Sequence, residues 1–285
     1  MLTVLQAIQL STKYLEEKEV KEARLNAELL LADILKMKRL ELYLSYEKPL
    51  SEKEKSKYRE YLKRRGEHEP LQYVLGYTEF YGNKFIVNPA VLIPRPETEL
   101  LVEKIATENL SPDLIRILDI GTGSGNIAIL LKKELPTAEV TAIDNSEDAL
   151  KVAALNCKNI LGPEFVDFQQ VDVFDENFAD RFSDYDIVVS NPPYVSIDEF
   201  NSLDSEVKNF EPKSAVTDNN DGYKFYRRIA ELANLLLVPK GKLYLEIGHS
   251  EKEGIVDLLR ENGLENIEVT KDLSGIDRII KAEKQ

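Results

Sequence analysis

Beyond residue 114, short apolar segments alternate with segments of helical spacing, and this alternation constrains the fold more than any other feature of the chain. It is typical of a parallel sheet that is covered by helices on both faces. The predicted strands are residues 115–120, 139–144, 165–172, 185–191 and 242–247, and the predicted helices are residues 126–135, 147–156, 222–237 and 250–261. Residues 267–271 and 277–281 suit a terminal antiparallel hairpin. The pattern predicts an α/β fold with a mostly parallel, Rossmann-like sheet that ends in an antiparallel strand.

The N-terminal part of the chain has a different pattern. Its apolar residues recur at intervals of three, four and five, and Ser51 with Glu54 has the form of a capping box that opens a helix. Aromatic and β-branched residues then surround a turn-prone sequence at residues 81–84. We therefore predict a small helical bundle (1–68), a β-hairpin connector (69–93) and the α/β domain (94–285).

The composition excludes several classes of protein. Hydrophobic residues make up 43% of the chain and charged residues 31%, which is typical of a globular protein. No stretch approaches the ~20 apolar residues of a membrane span, and the N terminus lacks a signal-peptide pattern, so we expect a cytoplasmic protein. Cys157 is the only cysteine, and His68 and His249 have no partner at metal-ligand spacing, so we predict no metal site.

A glycine-rich turn joins the first strand of the predicted sheet to the following helix. Glycines permit a tight turn and let a ligand approach the backbone, although such turns also occur for structural reasons alone. The dinucleotide-binding pattern would need a glycine at position 126, where this chain has asparagine. The predicted cofactor contacts in the turn are Gly121, Thr122, Gly123, Ser124 and Gly125.

Acidic residues close the next two predicted strands. Asp144 follows the turn by about 20 residues, where a carboxylate can accept hydrogen bonds from both hydroxyls of a ribose. Asp172 can accept from an adenine amino group while Val173 or Phe174 packs beside the adenine ring, or Asp172 can cap a turn. Since ligands of open α/β sheets bind at the carboxyl ends of strands, these residues predict a nucleoside-containing cofactor.

The sequence Asn191-Pro192-Pro193-Tyr194 follows the fourth predicted strand. The Asn191 side-chain oxygen and the Pro192 carbonyl can accept the two N–H groups of a planar nitrogen, and Tyr194 can stack on the planar group. The two prolines would hold these acceptors rigid, although a proline-rich turn can also be purely structural. Glutamine amide, adenine N6, cytosine N4 and guanine N2 all present a suitable nitrogen.

The sequence LDIGTGSG, the acidic Asp144 and the sequence SNPPY together resemble class I S-adenosylmethionine-dependent methyltransferases. The resemblance implies S-adenosylmethionine as the cofactor, with its methionyl part at the glycine turn and its ribose at Asp144. It also implies that Asn191 lies between the cofactor and the substrate, in contact with both. An acidic pocket suits the sulfonium cation of this cofactor.

Further segments, EPLQYVLG (69–76), EFY (79–81), LIPRPETE (92–99), FEP (210–212) and YLEIG (244–248), resemble the release factor glutamine methyltransferases, also called protein-(glutamine-N5) methyltransferases. The resemblance covers nearly the whole chain. It implies methylation of the glutamine in the Gly-Gly-Gln loop of class I peptide-chain release factors, with the N-terminal helices helping to dock that protein. Arg95 would order the mouth of the site, or be an arginine paired with an acidic residue. Glu246 is a structural carboxylate or a group that supports the site.

The charge distribution bears on the substrate. Residues 1–85 carry 16 Lys and Arg against 14 Asp and Glu, whereas residues 86–285 carry 21 against 37. Binding to duplex nucleic acid needs a basic track, so this balance disfavours the main alternative, a nucleic-acid amino-methyltransferase that acts on adenine N6 or guanine N2. A catalytically silent binding protein of the same fold is a second alternative, against which Asn191, Asp144 and the glycines count.

Overall fold

The computed structural model describes residues 2–111, 113–162, 165–249 and 251–285. The helices in these ranges are Val4–Glu17 (α1), Ala23–Leu35 (α2), Arg39–Leu44 (α3), Glu52–Gly66 (α4), Leu71–Leu75 (α5), Pro96–Glu108 (α6), Asn126–Glu134 (α7), Glu147–Ile160 (α8), Phe178–Arg181 (α9), Ile197–Ser202 (α10), Ser205–Phe210 (α11), Lys213–Val216 (α12), Lys224–Leu236 (α13) and Lys252–Glu261 (α14). The strands are Tyr77–Phe80 (β1), Asn83–Ile86 (β2), Arg116–Ile120 (β3), Glu139–Asp144 (β4), Asp167–Gln170 (β5), Tyr185–Ser190 (β6), Leu237–Glu246 (β7), Leu264–Lys271 (β8) and Asp277–Lys284 (β9). None of the helices in the described ranges has the length and apolar character needed to cross a bilayer.

The chain forms two compact units. The first comprises the chain up to Tyr77 together with Asp204–Phe210, which contains α11. The second comprises Thr78–Leu203 and Glu211–Gln285. The sequence pattern gave no sign that a segment so late in the chain would pack with the N-terminal helices.

The first unit is helical, as the sequence predicts. α4 begins at the predicted capping box, in which the Ser51 hydroxyl accepts from the Glu54 N–H while Glu54 accepts from the Ser51 N–H. This reciprocal pair satisfies two backbone donors that the first turn of a helix leaves free. Apolar residues of α1, α2 and α4, with Leu30 and Leu31 fully buried, form the core.

The second unit is built on a seven-stranded sheet with the order β5-β4-β3-β6-β7-β9-β8. The pairs from β5 to β7 are parallel, whereas β9 is antiparallel to both β7 and β8. This confirms the predicted fold. The antiparallel strand is β9, which is the last strand in the sequence and lies between β7 and β8, second from one edge of the sheet. The strands that follow β3 in the sequence, β4 and β5, extend the sheet toward one edge, and the strands that follow β6 extend it toward the other edge. The carboxyl ends of β3 and β6 therefore form the switch point where ligands of such sheets bind.

Several element boundaries differ from the predictions. β5 is shorter than residues 165–172, and β7 starts earlier than residue 242, because the end of a strand depends on its pairing with neighbours and not on its apolar run. The predicted β-hairpin connector contains β1 and β2 but also the short helix α5. The helix predicted from residue 250 is observed from Lys252, and Ser250 lies outside the described residues.

Candidate active site

The glycine-rich turn between β3 and α7 is fixed to the end of β4. The N–H groups of Gly121 and Thr122 both donate to the Ile143 carbonyl at 2.9 Å. Gly121 and Gly123 have φ values of +77° and +54°. Residues with a side chain rarely adopt these values, so the turn requires glycine at both positions.

Gly125 has a different role in the same turn. A Cβ atom at this position would lie 2.9 Å from Ile129 Cδ1 and 3.0 Å from Ala153 Cβ. The missing side chain therefore lets α7 and α8 approach each other. The buried Asn156 of α8 strengthens this arrangement, because its Nδ2 donates to the Ser124 carbonyl at 2.9 Å. Gly125 is thus part of the support of the turn.

Asp144, at the end of β4, points its carboxylate at the turn. Its Oδ2 accepts from the Gly123 N–H and its Oδ1 from the Ser146 N–H, both at 2.9 Å. Burial raises the pKa of Asp144, and the hydrogen bonds from the backbone of Ser146, Gly123 and Asn145 oppose that rise. Each carboxylate oxygen has a second lone pair, so Asp144 can still accept from two ribose hydroxyls.

A second buried carboxylate, Asp119, precedes the turn on β3. Its Oδ2 accepts from the Thr122 hydroxyl at 2.7 Å, and its Oδ1 has no hydrogen-bond partner among the described residues. Burial raises the pKa of Asp119 to about 7, while the hydrogen bonds from the Thr122 hydroxyl and the Ala128 N–H lower it and the nearby Asp144 raises it. Burial therefore disfavours the ionised form of Asp119, which lies on the strand that leads into the glycine-rich turn.

Asp172 is compatible with both of its sequence interpretations. Its Oδ1 accepts from the Phe174 N–H at 2.9 Å, which is the hydrogen bond of a turn cap. The residue also lines a cavity, together with Val173 and Phe225. Phe225 makes an edge-to-face contact with Phe174, with 5.1 Å between ring centroids. This end of the cavity offers one carboxylate and apolar side chains, as a flat heterocycle would need.

The NPPY sequence follows β6. The Ser190 hydroxyl donates to the Ile120 carbonyl at 2.7 Å and so ties the ends of β3 and β6 together. The next residue, Asn191, donates from its Nδ2 to Thr98 Oγ1 at 3.2 Å. Its Oδ1 is then the amide atom that remains to accept from a substrate.

Tyr194 is partly buried and packs against the core of the second unit, and burial raises its pKa to about 12. A Cβ atom at Gly248 would lie 3.0 Å from Tyr194 Cδ2, which shows how closely the ring is enclosed.

One cavity of about 290 Å³ joins these groups, near the lower end of the range for small-ligand pockets, ~300–1,000 Å³. The predicted site residues that line it are Arg95, Gly121, Thr122, Gly123, Ser124, Asp144, Asp172, Val173, Asn191, Pro192 and Pro193. The predicted residues Gly125 and Tyr194 are not among its lining residues. The assignment of each residue to cofactor or substrate stays a prediction.

Arg95 lines the cavity and also has an acidic partner. Its Nη2 lies 2.5 Å from Glu211 Oε1, and Glu211 Oε2 accepts from the Ile93 N–H at 3.2 Å. The Glu211 side chain is 2% exposed, against 34% for that of Arg95. The pair therefore fixes the LIPRPETE segment to Glu211 beside the cavity, so the two interpretations of Arg95 are compatible.

Thr98 is the main polar group at the site that the sequence interpretation missed. It lines the cavity, is 1% exposed and contacts Asn191. The sequence did hold a signal, because Thr98 lies on the same face of α6 as the buried Leu101, Val102 and Ile105. A polar residue on the apolar face of a helix must find a hydrogen-bond partner, and here the partner belongs to the site.

Known proteins resemble this chain over almost its full length. Residues 6–76 match the family model described as PrmC N-terminal domain, and residues 96–205 match the one described as Methyltransferase small domain. A release factor glutamine methyltransferase of Fusobacterium nucleatum is 40% identical over 96% of this chain and 77% of that protein. The chain belongs to the release factor glutamine methyltransferases. A release factor glutamine methyltransferase of Bacteroides thetaiotaomicron is 42% identical over 90% of this chain and 91% of that protein.

Membership in the release factor glutamine methyltransferases confirms the resemblance found in the sequence motifs. The crystal structure of a methyltransferase from Pyrococcus furiosus shares the fold, with a TM-score of 0.50 and 18% identity over 72% of this chain and 90% of that chain. The cavity at the switch point of the sheet is therefore the candidate active site of a methyltransferase.

Proposed function

We propose that this protein transfers a methyl group from S-adenosylmethionine to the side-chain amide nitrogen (N5) of the glutamine in the Gly-Gly-Gln loop of class I peptide-chain release factors. The observation that carries the proposal is that Asn191 and Pro192 line the same cavity as the glycine turn and Asp144. The names of the relatives give the substrate class. Action on a release factor is in keeping with a cytoplasmic protein.

The residues of the cavity fit S-adenosylmethionine. The turn at Gly121 and Gly123 would hold its methionyl part, Asp144 its ribose and Asp172 its adenine. The carboxylates also suit its positive charge. When bound, this cofactor supplies an electrophilic methyl group.

The acceptor nitrogen needs orientation more than it needs a base. The lone pair of an amide nitrogen is delocalised into the carbonyl group, so the nitrogen must be held with that lone pair directed at the methyl carbon. Asn191 Oδ1 and the Pro192 carbonyl would accept its two N–H groups and fix this direction. As the nitrogen formed its bond to the methyl carbon, the bond from that carbon to the cofactor sulfur would break and leave neutral S-adenosylhomocysteine. The nitrogen would then be cationic and would lose one proton to solvent, which restores a neutral N-methyl amide.

Pro192 and Pro193 would keep the acceptors in place, because their rings lock the backbone and lower the entropy lost on binding. Tyr194 would support this loop from behind or stack on the substrate amide. The helical N-terminal unit, which is slightly basic in sequence, would dock the release factor. Its role in docking is part of the proposal.

The decisive experiment is transfer of radiolabelled methyl from S-adenosylmethionine to a purified class I release factor. The controls are the same factor with Gln→Ala in its Gly-Gly-Gln loop, and a nucleic acid. We expect label on the intact factor alone. Label on nucleic acid with none on protein would instead establish the amino-methyltransferase alternative.

A further inference from the structure

Glu246 is a buried carboxyl group beside the acceptor end of the cavity that the mechanism above does not use. It ends β7, is 2% exposed, and its Oε2 has no hydrogen-bond partner among the described residues. A buried carboxyl oxygen without a partner costs free energy, so such a group is often kept for a function.

The register of the sheet brings Glu246 next to Asn191. β6 and β7 are parallel neighbours in which Ser190 lies opposite Leu245. Asn191 directly follows β6, and Glu246 is the last residue of β7. Successive side chains of a strand alternate between its two faces. The two side chains therefore leave the sheet at the same level and on the same face.

Thr98, in the first turn of α6, connects the two side chains. Its Oγ1 accepts from Asn191 Nδ2 at 3.2 Å, and its hydroxyl lies close enough to the Glu246 carboxyl group to lower the pKa of that group. The Asn191 side chain likewise lies close enough to Glu246 to lower the pKa of its carboxyl group. The Thr98 hydroxyl and the Glu246 carboxyl group therefore both present oxygen atoms to the NH₂ group of Asn191.

We propose that Glu246 is a positioning residue for Asn191, which it holds, directly and through the Thr98 hydroxyl, with the amide NH₂ toward the protein and Oδ1 toward the substrate nitrogen. An ionised carboxylate only accepts, so Thr98 must donate its single hydrogen to Glu246. The Thr98 oxygen can then only accept from Asn191, which requires the NH₂ group at that position. The inference rests on the proposed function, because it takes Asn191 Oδ1 as the acceptor for the substrate amide.

The protonation state of Glu246 then controls the orientation of Asn191. A protonated Glu246 can donate to Thr98, whose hydroxyl can donate in turn to Asn191 Oδ1, and the amide rotates by half a turn. Its NH₂ group would then face the N–H groups of the substrate and repel them. Turnover should therefore require the ionised form of Glu246.

Several charged and titratable groups surround Glu246. They are Glu97 on α6, Arg278 on β9, Tyr194 after β6 and Tyr226 on α13, and Glu251, before α14, lies near both tyrosines. Burial raises the pKa of Glu246 to about 7; hydrogen bonds from Thr98 and Asn191 and the charge of Arg278 lower it, and Glu97 raises it. The rate should therefore fall on the acidic side of about pH 7.

The first test is steady-state methylation of a purified release factor as a function of pH. Glu246→Gln keeps the shape of the side chain but can either donate or accept, so it no longer selects one orientation of Asn191. Thr98→Val removes the hydroxyl at nearly constant volume. We expect each variant to lower kcat by about 10-fold or more, while KM for the release factor and Kd for the cofactor stay within about 2-fold.

Three further results separate positioning from a merely structural role. Glu246→Gln should lose the acidic limb of the pH profile. Thr98→Ser, which restores the hydroxyl, should recover most of the rate lost in Thr98→Val. Glu261→Gln, the same change at an exposed residue at the end of α14, should behave as wild type. A Glu246→Gln enzyme with the wild-type kcat and acidic limb would overturn the proposal.

The second test needs no substrate. In free protein labelled with ¹⁵N-asparagine, the side-chain NH₂ resonances of Asn191, assigned by their loss in Asn191→Ala, should shift with a midpoint near pH 7. The shift should vanish in Glu246→Gln. If the wild type labels no release factor, the proposed function fails, and this titration alone then decides on Glu246. An Asn191 signal that titrates equally in wild type and Glu246→Gln would refute the positioning role.

Discussion

At the scale of single residues, Asn191 and Asp144 line the same cavity but belong to different hydrogen-bond networks. Asn191 is hydrogen-bonded to Thr98 on α6, whereas Asp144 is hydrogen-bonded to Gly123 within the glycine-rich turn. Loss of acceptor binding and loss of cofactor binding should therefore be separable by substitution.

Asn191→Ala should lower kcat by about 10²- to 10³-fold, because one of the two groups that orient the acceptor nitrogen is lost. Cofactor affinity measured by calorimetry should change little. Asn201→Ala removes an exposed asparagine of α10 and is the matched control. Turnover of Asn191→Ala near the wild-type rate would remove Asn191 from the mechanism.

Asp144→Asn should weaken cofactor binding by about 10- to 100-fold, because a charged acceptor for two hydroxyls becomes a neutral group that accepts through one oxygen only. Isothermal titration calorimetry with S-adenosylhomocysteine measures the change without turnover. Asp257→Asn, on the exposed surface of α14, serves as control. An unchanged Kd for Asp144→Asn would place the ribose elsewhere.

At the scale of elements, the sequence predicted what depends on local pattern. The alternation of strands and helices, the glycine turn and the capping box of α4 were all recognisable, because each arises from residues close together in the chain. Short helices such as α5 and α11 were missed, because they have fewer than eight residues and too few turns to show a period. Thr98 was missed for a different reason: its place on the apolar face of α6 was readable, but its partner Asn191 is 93 residues away in the sequence.

The inclusion of α11 in the N-terminal unit has a specific physical cause. Arg65, near the end of α4, donates from Nη2 to Glu206 Oε1 of α11 at 2.6 Å, across 141 residues of sequence. Its Nε donates to Asn26 Oδ1 at 2.7 Å, and its Nη1 to the Glu69 carbonyl at 3.1 Å. The Arg65 side chain is 5% exposed, so it holds three separate segments around one buried charge.

Arg65→Met should therefore destabilise the protein by about 3 kcal/mol, because it leaves buried acceptors and the Glu206 carboxylate without their cation. Urea unfolding followed by circular dichroism measures the change. The exposed Arg59 lies on the same helix, so Arg59→Met controls for loss of an arginine from α4. Equal stability of the two variants would show that the Arg65 network contributes little to the unit.

At the scale of the whole molecule, buried carboxyl groups determine how stability depends on pH. The pKa values of Asp119 and Glu246 are each raised to about 7 in the folded protein, from ordinary values of 3.8 and 4.5, chiefly by burial. At pH values between the ordinary pKa of each group and about 7, the folded state binds more protons than the unfolded state. The free energy of unfolding therefore falls as pH rises through this interval. Groups with lowered pKa values, such as Glu28 and Glu108, act in the opposite direction but only as pH falls below about 4.5.

The melting temperature of the cofactor-free protein should therefore decrease from pH 5.5 to pH 8, and Asp119→Asn should make this decrease shallower. An asparagine carries no charge to desolvate, so the variant should melt higher than wild type at both pH values, and this difference should be roughly 3–6 °C larger at pH 8 than at pH 5.5. Differential scanning calorimetry across this range measures both slopes, with the exposed Asp257→Asn expected to follow wild type. If Asp119→Asn and wild type lose stability in parallel, Asp119 is already ionised in the folded protein. The buried hydrogen bonds from Thr122 and Ala128 then outweigh the desolvation that its position imposes.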